Sequence, residues 1–171
     1  YERFSDQIQG LIPADRIVIN TVDLDQGTST TRYLWPAELT ERKQGDVVAL
    51  PGSVTGYVGR MRNALLIVSA EDEKGLQDRF PGLRDALRSG IRSIIAVPLL
   101  SGDEVIGTLH MQSRAGHPYS ERHLLRAKAI AAQISGPIAN AHLHDIIRRG
   151  AQERALLTEI GRTISSSADL G

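Results

Sequence analysis

The stretch Gly90-Ile-Arg-Ser-Ile-Ile-Ala-Val-Pro-Leu-Leu100, followed by Ser101-Gly-Asp-Glu104 and Val105-Ile-Gly-Thr-Leu-His-Met-Gln112, decides the fold. Two apolar runs joined by a short polar turn predict an antiparallel hairpin. The long amphipathic segment that follows, from Ser120 onward, predicts a helix. Alternation in the second run puts Val105, Gly107, Leu109 and Met111 on one face and Ile106, Thr108, His110 and Gln112 on the other. The first face is core. The second, partly polar, is either the floor of a small-molecule cavity or a face turned to solvent. Pro98 cannot donate a ladder hydrogen bond, so it belongs at an edge or a bulge.

Composition narrows the classes. The chain has 171 residues, enough for one good core plus an appendage, and 20 basic residues balance 20 acidic ones. No segment gathers a basic excess, so no nucleic-acid partner is expected. No apolar run approaches the roughly 20 residues that cross a bilayer, so this segment is expected to be soluble, cytoplasmic and without direct membrane contact. The chain holds no cysteine, which excludes thiol catalysis, disulfides and thioether-linked cofactors. A beginning at Tyr1 and an ending within Ser-Ser-Ser-Ala-Asp-Leu-Gly suggest a piece of a larger protein.

Upstream, Phe4, Ile8, Leu11 and Ile12 have helical spacing, and Pro13 ends that helix. Asp15 to Asp23 and Thr30 to Trp35 are expected to form an opening hairpin about Asp25-Gln-Gly27. Pro36 to Pro51 reads as a loop with one short strand at Val47 to Leu50. Ser53 is the expected N-cap of a helix from Val54 to about Arg62, and Leu65 to Val68 a short strand. Residues 70 to 90 read as a lid-like loop followed by a helix from Leu83 to Ser89.

Ser120 caps the long helix. Its seam runs Leu124, Ala127, Ala131, Ile134, Ile138 and Ala141, the rhythm of a coiled coil. Pro137 should kink it. A second, offset seam passes through Ala139, Leu143, Ile146, Gly150, Glu153, Leu157, Ile160 and Ile164.

The wording Gly-Ile-Arg-Ser-Ile-Ile-Ala-Val-Pro-Leu-Leu, then Glu-Val-Ile-Gly-Thr-Leu, then Ala-Ala-Gln-Ile through Ile-Ala-Asn-Ala resembles the second half of GAF domains. Gly-Ser-Val-Thr-Gly-Tyr-Val through Leu-Leu-Ile-Val resembles their middle helix and strand. The resemblance implies an α+β fold: a GAF/PAS-like central antiparallel sheet, with N- and C-terminal helices on one face and a lidded ligand cavity on the other. It further implies a sensory domain over 1–148 and, over 149–171, a signalling helix leading into a further domain. The implied role is regulatory, in a bacterial signalling protein such as a sensor histidine kinase, working as a homodimer through terminal helices.

On that resemblance Arg92, Thr108, His110, Gln112, Tyr33 and Trp35 are ligand-binding candidates, and Leu124, Ala131, Ile134, Ile138, Ala141, Leu143 and Ile146 form the dimer and relay helix. Arg92 offers a planar fork for an acidic ligand group, or a salt bridge to an acid between 71 and 85. His110 could hydrogen-bond a ligand or ligate haem. A bilin linked through cysteine is impossible. Haem is unsupported, since the loop from Glu71 to Ser89 lacks histidine, and so is cyclic nucleotide, since no Asn-Lys pair is present. No metal site, nucleophile with a partnered base or phosphate-binding glycine loop is visible, so no catalytic residue is assigned. His117 and His123 read as solvated side chains. If the pocket is instead filled by Tyr33, Trp35, Met61 or Met111, the module only dimerises and spaces its neighbours.

Overall fold

The structure, a computed structural model, describes residues 8–36, 42–68, 73–114 and 119–168, with side chains described as far as residue 158. Phe4, His117, Glu71 and the side chains of Ile160 and Ile164 lie outside the described residues. The chain divides into two compact units after Gly136.

In the first unit, six strands form one sheet in the order β3-β2-β1-β6-β5-β4, with every pairing antiparallel. They are β1 (Arg16–Asp23), β2 (Thr28–Trp35), β3 (Val47–Ala49), β4 (Leu65–Val68), β5 (Ile91–Ser101) and β6 (Glu104–Arg114). β5 and β6 are the expected hairpin, turning at Gly102, whose φ of 57° is left-handed backbone that glycine adopts without penalty. β1 pairs with the far edge of β6, so the first and last strands of the domain lie side by side at the centre.

Strand register assigns the two faces. Ile17 opposes Met111 and Ile19 opposes Leu109, and across the other edge Ile95 meets Met111 and Val97 meets Leu109. The centre of this face is apolar and closed to water, with Ile95, Val97, Leu99, Leu109 and Met111 at 0% exposure. On the other face Arg16 opposes Gln112, Val18 opposes His110 and Asn20 opposes Thr108. β4 extends along β5 only from Ser93 to Ala96, so Pro98 sits beyond its end and needs no hydrogen on that side. A bulge follows between Leu99 and Leu100.

Beyond the apolar face lies the start of the long helix α4 (Glu121–Ala168). Leu124, Ala127, Ile130 and Ala131 are buried and Ile134 half-buried, the expected seam with Ile130 added. Arg126 donates to the Leu11 carbonyl at 2.8 Å, which ties this helix to the helical residues 8–11. Ser135 Oγ donates to the Ala131 carbonyl and accepts the Leu100 amide at 3.1 Å. The helix start departs from the simple expectation for His123. Its Nδ1 accepts the Ser120 amide at 3.1 Å and its ring meets Tyr119 edge-on, so it is a half-buried capping group rather than a solvated one.

The second unit, from Pro137, carries the remainder of α4. Helix is continuous through Pro137, although the proline removes one backbone donor. Ala141 is exposed, as are the large apolar residues Leu143, Ile146, Ile147, Leu156 and Leu157. No helix among the described residues is long and apolar enough to cross a membrane.

Three short helices cover the polar face: α1 (Val54–Met61), α2 (Glu73–Arg79) and α3 (Arg84–Arg88), the last entered through a 3-10 turn at Pro81–Leu83. The Ser53 hydroxyl accepts the Gly56 amide at 2.9 Å, the expected cap. Helix α2 replaces part of the expected loop. It buries no residue fully and has glycine at its third position, which is why its periodicity is weak in sequence. Leu76 nevertheless packs on the cluster of Val54, Val58, Phe80, Leu83 and Leu87 with Ile67, Ile94 and Ala96 of the sheet. Arg79 lies over both Tyr57 and Phe80, 5.0 and 5.1 Å from their ring centres, and clasps α2 to α1.

Candidate functional site

Between this roof and the sheet is a cavity of about 580 Å³. Its floor is Arg16, Val18, His110 and Gln112, with Ser29 and Leu34 from β2. Val48 and Pro51 wall one side, Val54 and Thr55 of α1 a second, and Leu83, Asp85 and Arg88 of the α3 region a third. The Gly82 amide donates to the Gly52 carbonyl at 3.3 Å and fastens two segments of this roof together.

The floor is organised by a hydrogen-bonded chain. Thr31 Oγ1 donates to Asn20 Oδ1 at 3.2 Å, and Asn20 Nδ2 donates to Thr55 Oγ1 at 3.4 Å. Thr55 Oγ1 lies 3.2 Å from His110 Nε2, and Thr108 Oγ1 lies 3.1 Å from the same nitrogen. The two hydroxyls converge on Nε2 and hold the ring in place on the floor. Burial, reinforced by the positive charge of Arg42, lowers the His110 pKa to about 4, so the imidazole is neutral at physiological pH. It stands as a fixed, uncharged group.

Beside it, Arg16 Nη1 donates to Gln112 Oε1 at 3.3 Å and Nη2 donates to Ser89 Oγ at 3.4 Å. Ser89 is held in turn by its bond to the Ala86 carbonyl. Burial and then the neighbouring Arg114 and Arg42 push the Arg16 pKa below its ordinary value. Three arginines, Arg16, Arg42 and Arg88, line the cavity against one acid, Asp85, among the described residues.

The residues singled out from sequence separate into three groups. His110 and Gln112 line the cavity, and Thr108 lies on the same face holding His110. Tyr33 and Trp35 lie on the opposite face, since they oppose Ile17 and Ile19 of the apolar side. The cause is a bulge: Thr31 pairs with Asn20 but Tyr33 with Ile19, so Arg32 is an extra residue and every later side chain in β2 changes face. Arg92 lies outside the cavity. It donates to the Leu87 and Ile91 carbonyls at 2.7 and 2.9 Å and faces Glu73 at 3.8 Å, the salt-bridge alternative. Arg16, Arg42, Arg88, Thr55 and Ser89 are cavity residues that sequence reasoning did not select. The pairing of Arg16 with Gln112, 96 positions away, has no local signature.

No group of three or more metal-ligating side chains occurs among the described residues. None of the known curated proteins compared with the chain matches it significantly. Solved structures do. The GAF domain of a two-component sensor histidine kinase from Bacillus halodurans superposes with a TM-score of 0.70 at 17% identity, over 84% of this chain and 94% of that one. The GAF domain of an Acinetobacter phosphoenolpyruvate-protein phosphotransferase gives 0.64 at 21% identity, over 82% and 80%. A domain of a putative sensor histidine kinase from Sinorhizobium meliloti gives 0.57 at 20%, over 86% and 94%. At these identities the likeness is one of fold. The family model for the GAF domain matches residues 1–138, ending within two residues of the boundary found at Gly136. A match over that span, on a sheet of this order, makes the chain a member of the GAF domain family.

Proposed function

We propose that this chain is the sensory module of a bacterial signalling protein of the sensor histidine kinase type, which takes a small molecule into the cavity under α1 and α3 and relays its presence through α4 in a homodimer. The cavity carries this reading. Its volume of about 580 Å³ falls in the range of roughly 300–1,000 Å³ typical of small-molecule sites, and a few fixed polar groups stand among apolar walls. The side chains that could have filled it are elsewhere: Met111 is buried on the apolar face, Tyr33 and Trp35 share that face, and Met61 is exposed. That disfavours a purely structural spacer.

The relay rests on the exposed apolar residues Leu143, Ile146, Ile147, Leu156 and Leu157, which a second copy of the helix would cover. A ligand biases two packings only by its differential affinity for them. Because the chain has no cysteine, single Leu143→Cys and Ile146→Cys variants report helix proximity without background. The expected result is crosslinking within a dimer whose yield changes when the ligand retained by protein from its own host is removed and restored. A yield indifferent to ligand refutes the relay, and a host protein that native mass spectrometry finds empty refutes the sensing role.

A further inference from the structure

The amide of Gln112 narrows the ligand. Its Oε1 accepts from Arg16 Nη1 at 3.3 Å, and because a guanidinium can only donate, the atom facing Arg16 is the oxygen. At the other end of the amide, the Nε2 hydrogens meet no acceptor among the described residues, although Gln112 is only 6% exposed. That nitrogen is not sealed in the interior, and the open space beside it is the cavity that Gln112 lines. A donor held in this way calls for an acceptor from outside the chain. The other polar groups do not set the class. The Ser53 and Ser89 hydroxyls donate to the Leu50 and Ala86 carbonyls. His110 Nδ1 gives or takes a hydrogen bond according to tautomer. Arg16 and Arg42 already have partners in the protein, and Arg88 and Asp85, of opposite charge, are exposed to water.

An amide donor beside a neutral imidazole, among apolar walls, complements an uncharged acceptor. We infer that the cavity takes an uncharged organic ligand through a carbonyl oxygen, such as that of a carboxamide, which accepts a hydrogen bond from Gln112 Nε2. The apolar walls of Val18, Leu34, Val54 and Leu83 receive its carbon skeleton. A carboxylate brought to this depth gives up its hydration for a neutral donor, and a cation meets hydrogens where it needs lone pairs. Gln112 is thus the residue that sets specificity. The inference rests on the ligand-binding reading above and adds the chemical class and the anchoring atom.

The test uses thermal melting and calorimetric titration of the full chain, emptied of ligand, with three probes built on one ring: benzamide, benzoate and benzamidine. Benzamidine is a cation that offers hydrogens where benzamide offers its carbonyl oxygen. The expected outcome is saturable stabilisation by benzamide, with benzoate and benzamidine at least about tenfold weaker. Gln112→Glu keeps an acceptor for Arg16 but puts an oxygen in place of Nε2, and should reverse the preference. Benzamide should weaken at least about tenfold, and benzamidine should gain. Gln112→Met, of similar length, should lose benzamide without that gain. A role in folding alone would lower the melting temperature of the empty protein and reverse no preference. Benzoate or benzamidine binding as tightly as benzamide, no saturable response to benzamide, or undiminished benzamide binding in both variants would each overturn the inference. A compound without an uncharged carbonyl group, retained by protein from its own host, would overturn it while leaving the sensing role intact.

Discussion

The two faces of β6 differ more than any other pair of surfaces in the first unit. Leu109 and Met111 lie on a closed face among apolar neighbours, whereas His110 and Gln112, one residue along from each, open onto a hollow lined with arginine. Both faces exclude water almost equally. The difference therefore lies not in burial but in what burial is used for: one face converts it into stability, and the other holds polar side chains at the floor of a cavity.

The largest expected effect falls on the closed face. Leu109→Ala should cost about 2–5 kcal/mol in urea unfolding, because the surrounding side chains cannot collapse into the space. A cost much below this would show that the apolar face is less tightly packed than its exposure values imply.

The open face should instead announce itself through pH. His110 titrates near 6.5 when unfolded and at about 4 when folded, so the unfolded chain binds a proton first as pH falls. Its contribution is fully present above about pH 6.5 and is lost as pH drops toward 4, by about 3 kcal/mol in all. Urea midpoints measured across this range should show that slope, and His110→Gln should flatten it. A slope unchanged in the variant would assign the titration to another group.

Two changes in the roof sharpen the contrast at lower amplitude. A methyl group at Gly56 would run into the Leu50 carbonyl oxygen, so Gly56→Ala should destabilise by about 1–3 kcal/mol despite the better helix propensity of alanine. Ser53→Ala removes the acceptor for the Gly56 amide and should cost about 1 kcal/mol. In either case loss of probe binding beyond the loss of stability would show that α1 forms part of the chamber rather than merely covering it.

How much of this was legible in sequence follows from which signals are local. Alternation within β6 assigned His110 and Gln112 to one face because a strand without a bulge keeps its phase. The same logic could not place Tyr33 and Trp35, since the extra residue at Arg32 is visible only in the pairing with β1. The cap at Ser53, and the seam from Leu124 to Ala131, were readable from spacing alone. The arginines of the chamber were not. Arg16, Arg42 and Arg88 come from different elements, and the register of β1 on β6, not any motif, brings Arg16 beside Gln112.

The bond from the Leu100 amide to Ser135 Oγ has a mechanical consequence. Where β4 stops short, a helix side chain takes the place of a neighbouring strand, and one hydroxyl indexes α4 against the rim of the sheet as a detent holds a shaft. A slide of that helix by one residue would have to break this latch, which adds about 1 kcal/mol of positional preference to that of the buried seam.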